Sequence, residues 1–292
     1  MTKRGALLFV ALAVIWGIPY FLIKVAVGEL APPSLVFLRT GIGALILLPI
    51  VLVRGRFREL LPRWRPILLY TLAEIGIPWV LLSDAERRVS SSLAGLLVAS
   101  VPLVSAVIGR LIGARDRLGR LQFAGLGLGL AGLVVLLGFD VGSSQAVAVA
   151  EIAVVVIGYA LGPIVISRGL SDLPTLDVVA ASLTLSALAY APIGISLLPG
   201  ALPSPQVIAA VVALGAVCTA LAFVVFFKLI AEVGPTRATI VTYLNPAVAV
   251  AAGVAFLGEP FTLATALGFV LIIAGAWLAT GMAARRPSRA KG

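Results

Sequence analysis

The segment Val89–Pro102 reads VSSSLAGLLVASVP, and at an offset of 144 residues Val233–Pro246 reads VGPTRATIVTYLNP. Just beyond it, RDRLGRLQFAGLGLGLAG (Arg115–Gly132) falls on GEPFTLATALGFVLIIAG (Gly258–Gly275) at an offset of 143. Pro102 is thereby paired with Pro246, Asp116 with Glu259, Gly125 with Gly268 and Gly132 with Gly275. Upstream, Trp16 falls into step with Tyr159 and Pro19 with Pro163. The chain therefore reads as a duplication, divided as residues 1–140 and 141–292. If each half crosses a bilayer an odd number of times, the second must enter from the opposite side. Inverted repeats of this kind are an architecture of secondary transporters, which rock around a site between the halves.

Composition makes the membrane reading firm. The chain is 61% hydrophobic and 12% charged, with a mean hydropathy of +1.16, far from the balance of a soluble domain. Apolar runs recur along the whole length, and a span needs about 20 such residues. They place helices α1 to α10 at residues 5–27, 32–53, 66–85, 90–111, 119–138, 147–168, 175–198, 206–230, 235–257 and 262–282. The first run, Ala6–Val27, is not followed by a small-residue cleavage site and reads as a retained helix. The expected fold class is an all-α integral membrane protein of ten transmembrane helices, arranged as two inverted five-helix repeats.

The net charge of +10 raises the question of nucleic acid, and its location answers it. With the N-terminus inside, one set of loops and ends holds Lys3, Arg4, Arg54, Arg56, Arg58, Arg63, Arg65, Arg110, Arg115, Arg117, Arg120, Arg168, Lys228, Arg237, Arg285, Arg286, Arg289 and Lys291. The other side keeps Lys24, Arg39, Arg87 and Arg88. This is the positive-inside rule, so the charge expresses topology and not a nucleic-acid partner. The expected location is a bacterial cytoplasmic (inner) membrane with both termini in the cytoplasm. A single cysteine, Cys218, excludes an internal disulfide. The absence of histidine removes the usual zinc ligand, general base and proton relay. With no nucleophile elbow, P-loop or dinucleotide fingerprint, the expectation is no enzyme, no cofactor and no metal.

Several motifs, in order and duplicated, carry a family resemblance. They are Trp16-Gly17 with Lys24 in α1, Arg39 in α2, and Ser90–Pro102 in the first half. In the second half they are AFVVFFKLI (Ala222–Ile230), GPTRA (Gly234–Ala238), YLNP (Tyr243–Pro246) and LGE (Leu257–Glu259). Over essentially its whole length the chain resembles the EamA family of the drug/metabolite transporter superfamily. It departs from that pattern at GARD (Gly113–Asp116), where the family usually has a Gly-Glu pair. The resemblance implies ten helices, an inverted repeat and carriage of small organic solutes, often export of amino acids or related metabolites.

Charged residues deep in a membrane helix are expensive unless they face a cavity or a partner. Glu74 lies inside LLYTLAEIGIPWVLL (Leu68–Leu82) in α3, with Tyr70, Trp79 and Pro78 nearby. On a straight helix Tyr70, Glu74, Leu81, Ala85 and Arg88 share one face. Glu74 is then either a proton-coupling group or a structural partner for a neighbouring donor. Asp84, Glu86, Arg87 and Arg88 read as solvated ion pairs, with Arg88 alternatively meeting a substrate carboxylate at the outer mouth. Trp16, Tyr20 and Lys24 form one stripe of α1, where Lys24 and Arg39 are expected near the outer surface, within reach of Glu29. In α9, Thr236, Thr239, Thr242, Tyr243 and Pro246 fall in one arc, with Asn245 beside it. These residues either line a cavity or bond their own helix carbonyls. In α6 the better cavity candidate is Tyr159.

The expected substrate site is thus Trp16, Tyr20, Tyr70, Glu74, Trp79, Arg88, Tyr159, Thr239, Thr242, Tyr243 and Asn245, lining a path among α1, α3, α4, α6, α8 and α9. Pro19, Pro78, Pro102, Pro163 and Pro246 are the expected bends. The α5 and α10 helices carry small-residue spacings, Gly125 with Gly129 and Gly132, and Ala264 with Gly268 and Gly275. Such faces pack closely, within one protomer or against a second copy of the chain as a homodimer. The remaining partners are lipid and a small-molecule substrate. The expected function is export or exchange of a small amphipathic metabolite, amino acids first. The alternatives are a nucleoside, sugar or organic-acid carrier, or a non-transporting, lipid-handling scaffold.

Overall fold

Ten apolar helices run through the computed structural model, which describes residues 2–53, 57–112, 119–137, 142–234 and 238–279. Eight are long and apolar enough to cross a membrane: α1 (Lys3–Ala26), α2 (Pro32–Val53), α3 (Leu61–Ala85), α4 (Ser91–Leu111), α5 (Arg120–Leu137), α6 (Ser143–Gly169), α7 (Thr175–Ser196) and α8 (Pro205–Val233). Two shorter ones follow, α9 (Val241–Leu257) and α10 (Leu263–Ala279). Asp116, Thr236, Arg54, Arg56, Arg115, Arg117, Arg237 and the basic tail lie outside the described residues, as does the side chain of Thr239.

Corresponding helices of the two halves pack on one another in opposite directions. A methyl group on Gly125 of α5 would lie 2.7 Å from the Gly275 carbonyl oxygen and 2.5 Å from the Ala279 amide of α10. One on Gly132 would lie 2.9 Å from the Ile272 amide, and one on Gly268 3.2 Å from the Gly132 oxygen. As residue numbers rise along α5 their partners fall along α10. Gly125 meets Gly275 while its repeat partner Gly268 meets Gly132, the reciprocity of a two-fold axis. The same antiparallel order holds for α2 and α7, where the Ser34 hydroxyl donates to the Gly194 carbonyl at 2.8 Å and Gly43 faces Leu183. It holds again for α4 and α9, where Gly95 faces Ala249 and Gly253 faces Ser92. The repeats are therefore inverted. The small-residue faces of α5 and α10 are used within the protomer.

Proline chemistry accounts for most of the breaks. Without an N–H, a proline leaves a carbonyl one turn earlier unpaired and its ring crowds that turn. The α1 helix is interrupted at Ile18, before Pro19, and α4 at Ala99–Ser100, before Pro102. The α9 helix starts as a 3₁₀ turn, Thr239–Tyr243, and becomes α-helical at Asn245, before Pro246. Pro163 differs from expectation, because it sits inside the unbroken α6. Two further irregularities are π-helical. The π-helical stretch Thr71–Gly76 in α3 precedes Pro78, and α8 contains another, Ala213–Leu221, with no proline in it. Shifted by the repeat's 144 residues, the first falls inside the second.

The core is unequal along the membrane normal. At the face distal to the start of α1, one apolar cluster joins Ile23, Leu35, Leu82, Leu97, Ile152, Leu214 and Ala249 from seven helices. Towards the face where α1 begins it divides. Leu47, Ile67, Leu170 and Leu183 belong to one cluster, Leu12, Leu229 and Val241 to another, and Leu103, Ala276 and Ala279 to a third.

Polar clamps close the distal face. The Lys24 ammonium donates to the Glu86 and Val89 carbonyls at 2.6 and 2.8 Å. Glu29 accepts from the Ser204 amide at 2.7 Å, so the expected pairing of Glu29 with Lys24 or Arg39 is replaced by bonds to loop backbone. The Glu259 carboxylate accepts from the Ser91 and Ser92 amides at 2.7 and 2.9 Å and from both hydroxyls. First-turn amides have no partner inside their own helix, and a carboxylate there also meets the positive end of the helix dipole. Burial pushes the Glu259 carboxyl up, but the bonds from Ser92 and Ser91 outweigh it and hold it below its ordinary 4.5.

Glu259→Ala should lose about 1–2 kcal/mol of stability, the usual cost of removing a helix cap. Because the folded-state value is depressed, the contribution is complete above pH 4.5 and fades as pH falls through the folded value. Thermal melts of wild type and variant should therefore differ at pH 7 and converge in acid. Coincident melts at pH 7 would show that the clamp contributes nothing.

Candidate substrate site

Five of the expected residues converge at mid-depth between α1, α3 and α6. Tyr20, Tyr70 and Trp79 are buried. Tyr159 packs against both the distal cluster and the α2–α3–α7 cluster. It stands within electrostatic reach of Glu74, Arg39 and Glu86, and in side-chain hydrogen-bonding range of Trp79. Glu74 is within electrostatic reach of Tyr70 and is pressed so closely on Gly162 that any side chain at that position would collide with its carboxylate. Glu74 Oε2 is buried with no hydrogen-bond partner, an arrangement that ordinary packing avoids and that calls for an explanation.

The π-helical stretch explains why these particular α3 residues meet. Tyr70 and Trp79 are nine positions apart, which on a straight α-helix puts them about 180° apart. A π turn absorbs one extra residue, bringing them to roughly 80° of each other by the same arithmetic. The absorbed residue also removes Arg88 from the face of Glu74, and α3 ends at Ala85. Arg88 instead donates to Asp84 at 2.6 Å and pairs with Glu151. Tyr190 of α7 supports the irregular stretch by donating to the Gly76 carbonyl at 3.0 Å.

Other expected site residues lie elsewhere. Trp16 packs on Phe223 and Phe226 of α8, with ring centroids 6.1 and 4.9 Å away. The Tyr243 hydroxyl donates to the Ala276 carbonyl of α10 at 3.4 Å, and Thr242 is exposed. Asn245 is half-buried and its Oδ1 has no partner. Its backbone carbonyl faces Gly17 of α1.

Two residues of the constellation were not anticipated. Arg39, expected at the surface, is 8% exposed. Its Nε donates to Thr219 Oγ1 at 3.1 Å, and its guanidinium carbon lies 3.6 Å from the Trp79 ring centroid. The Thr219 hydroxyl donates in turn to the Leu214 carbonyl at 2.8 Å, across the α8 π-helical stretch. The signal for depth was available. Arg39 is seven residues past Pro32, where α2 starts, or roughly 10 Å along the axis at 1.5 Å per residue. Glu86 was expected among solvated ion pairs, yet it is fully buried and neither carboxylate oxygen has a partner. In a run of four charges nothing distinguishes the one that turns inward.

The repeats, their inversion and this intramembrane polar cluster are what a solute carrier requires, and comparison with known proteins decides the family. The profile of the EamA-like transporter family matches residues 3–138 and again 147–281. The chain belongs to the EamA-like transporter family. An Escherichia coli K12 relative, described as the uncharacterized inner membrane transporter YedA, is 31% identical over 280 residues, covering 92% of this chain and 88% of its own. A Bacillus subtilis relative, described as the uncharacterized transporter YvbV, is 25% identical over 274 residues, covering 92% and 89%. A solved crystal structure superposes with a TM-score of 0.69 at 24% identity, covering 99% of this chain and 100% of that one, and bears on the fold alone. The EamA-like chain is thus a membrane protein of a transporter family.

Proposed function

We propose that this EamA-like protein is a secondary carrier that exports or exchanges a small amphipathic metabolite, an amino acid or a related compound, by alternating access. The observation that carries this reading is Glu74. An intramembrane carboxylate with an unpartnered oxygen, within electrostatic reach of Tyr70 and Tyr159, is costly to keep and is by default functional. Tyr20, Trp79 and Tyr159 supply apolar rings for the body of the solute, as concave solute sites require. A scaffold would have no use for such a cluster. The undivided core at the distal face and the divided one opposite support a cleft opening towards the termini. The breaks at Pro19, Pro102 and Pro246, with the π-helical stretch before Pro78, are the points about which the hairpins rock. The distribution of basic residues supports an inner-membrane location with that face in the cytoplasm.

Reconstituted vesicles test the proposal. Labelled amino acids should cross faster than in empty vesicles, and a proton gradient should drive their accumulation. Glu74→Gln should abolish the gradient-driven accumulation while leaving exchange intact. An unchanged pH dependence in that variant would remove proton coupling through Glu74. Failure of every labelled amino acid, nucleoside, sugar, organic acid and organic cation to cross would remove the carrier reading itself.

A further inference from the structure

Arg39 is a buried cation with no salt-bridge partner among the described residues. Glu86 is within electrostatic reach, but its two oxygens bond nothing, so it does not occupy the guanidinium. A buried charge needs a partner and satisfied hydrogen bonds, and half-satisfied ones are costly. The side chain is nevertheless held firmly. Thr219 takes Nε, with its own hydroxyl committed to Leu214, and Trp79 covers one face of the guanidinium plane. The end of the fork carrying the two Nη atoms is left, and this is the edge that pairs bidentately with a carboxylate.

We propose that Arg39 anchors the carboxylate of the carried solute, with Thr219 and Trp79 as its positioning residues, so that the substrate class is small carboxylic acids with an apolar or aromatic body, amino acids included. This rests on the carrier reading above and narrows it. The solute's charge completes what the fold leaves open, and its body lies against Trp79, Tyr159 and Tyr20. Neutral solutes and cations would leave the guanidinium uncompensated, which is a penalty against them as well as a missing attraction. Lysine at this position would keep the charge but lose the fork.

The test uses the full-length purified protein and a fixed panel: L-phenylalanine, L-leucine, 3-phenylpropionate, L-phenylalaninamide, phenethylamine, uridine and tetraphenylphosphonium. Thermal stabilisation reads binding by mass action, and vesicle uptake reads transport. The carboxylate-bearing compounds should stabilise and cross the wild type, and the amide and the amine should do neither. Arg39→Gln should lose both effects. Arg39→Lys, the variant safer for folding, should weaken binding by about tenfold or more, the loss expected for one charged hydrogen bond. Stabilisation and uptake of uridine, the amide or the amine would overturn the role of Arg39 and leave the carrier reading standing. So would carboxylate binding that survives unchanged in both variants. If no compound of the panel binds or crosses, the carboxylate class falls, and the carrier reading then stands or falls by the wider screen of labelled solutes given above.

Discussion

Gly275→Val is expected to lower the melting temperature of the purified protein by several degrees and to cut its yield. A methyl group there would lie 2.5 Å from the Gly129 amide, 2.7 Å from the Gly125 carbonyl oxygen and 2.7 Å from the Gly129 Cα. All three atoms are backbone, so none can swing aside as a side chain would. The α5 and α10 helices must separate, and in lipid little else holds them, because close van der Waals contact between small residues is the main attraction. Overpacking of this kind costs about 1–3 kcal/mol, and valine's two further methyls place it at the upper end. Gly127 is the control, since it lies on the same α5 but has nothing within 4 Å of an added methyl. Gly127→Ala should melt with the wild type. Equal melting of Gly275→Val and wild type would mean that the helix pair does not depend on this contact.

Glu86→Gln is expected to stabilise the protein at pH 7–8 and to flatten its pH profile. Burial pushes the Glu86 carboxyl well above its ordinary 4.5; Lys24 and Arg39 pull it down, and Glu259 adds to the rise. The titratable groups around it are Lys24 and Tyr20 from α1, Arg39 from α2, Tyr159 from α6 and Glu259 beyond α9. Below pH 4.5 the carboxyl is neutral in both folded and unfolded chains and costs nothing. As pH rises the unfolded chain ionises freely while the folded one resists, so wild-type stability falls until the folded value is passed. Glutamine keeps the shape without the charge and removes that slope. Thermal melts of both proteins between pH 4 and 8 should coincide in acid and separate at neutral pH, the variant melting higher. A variant that melts lower throughout would mean that Glu86 is held ionised by its neighbours.

Much of the architecture was readable from residue order. The repeat came from landmarks such as Pro102 with Pro246 and Gly132 with Gly275. Helix positions came from apolar runs, because a bilayer demands long uninterrupted ones. The breaks before Pro19, Pro102 and Pro246 came from proline's missing donor. The same rule failed at Pro163, where a helix running through to Gly169 carries the defect without breaking. The site was legible in part. Tyr20, Tyr70, Glu74, Trp79 and Tyr159 were visible as polar or aromatic residues at depth. Glu86 was misplaced because a charge near a helix end is ordinarily solvated and only the fold decides which way it turns, whereas the distance of Arg39 from the start of α2 already marked it as deep. Thr219 and the α8 π-helical stretch left no trace, since an extra residue per turn changes neither composition nor hydropathy, whereas the stretch in α3 was marked by Pro78.

That surplus residue in α3 behaves like a frameshift within the helix. Everything after Gly76 is out of phase by one position with everything before Thr71, and Tyr70 and Trp79 are brought towards one side across the discontinuity. Drawing the stretch out into regular α-helix with every residue kept would send Trp79 to the side opposite Tyr70, whereas excising one residue would leave the two about 80° apart. The α8 helix carries its own slip at the matching register. At equivalent positions of the two slips, 144 residues apart, the first repeat bears Glu74 and the second Cys218.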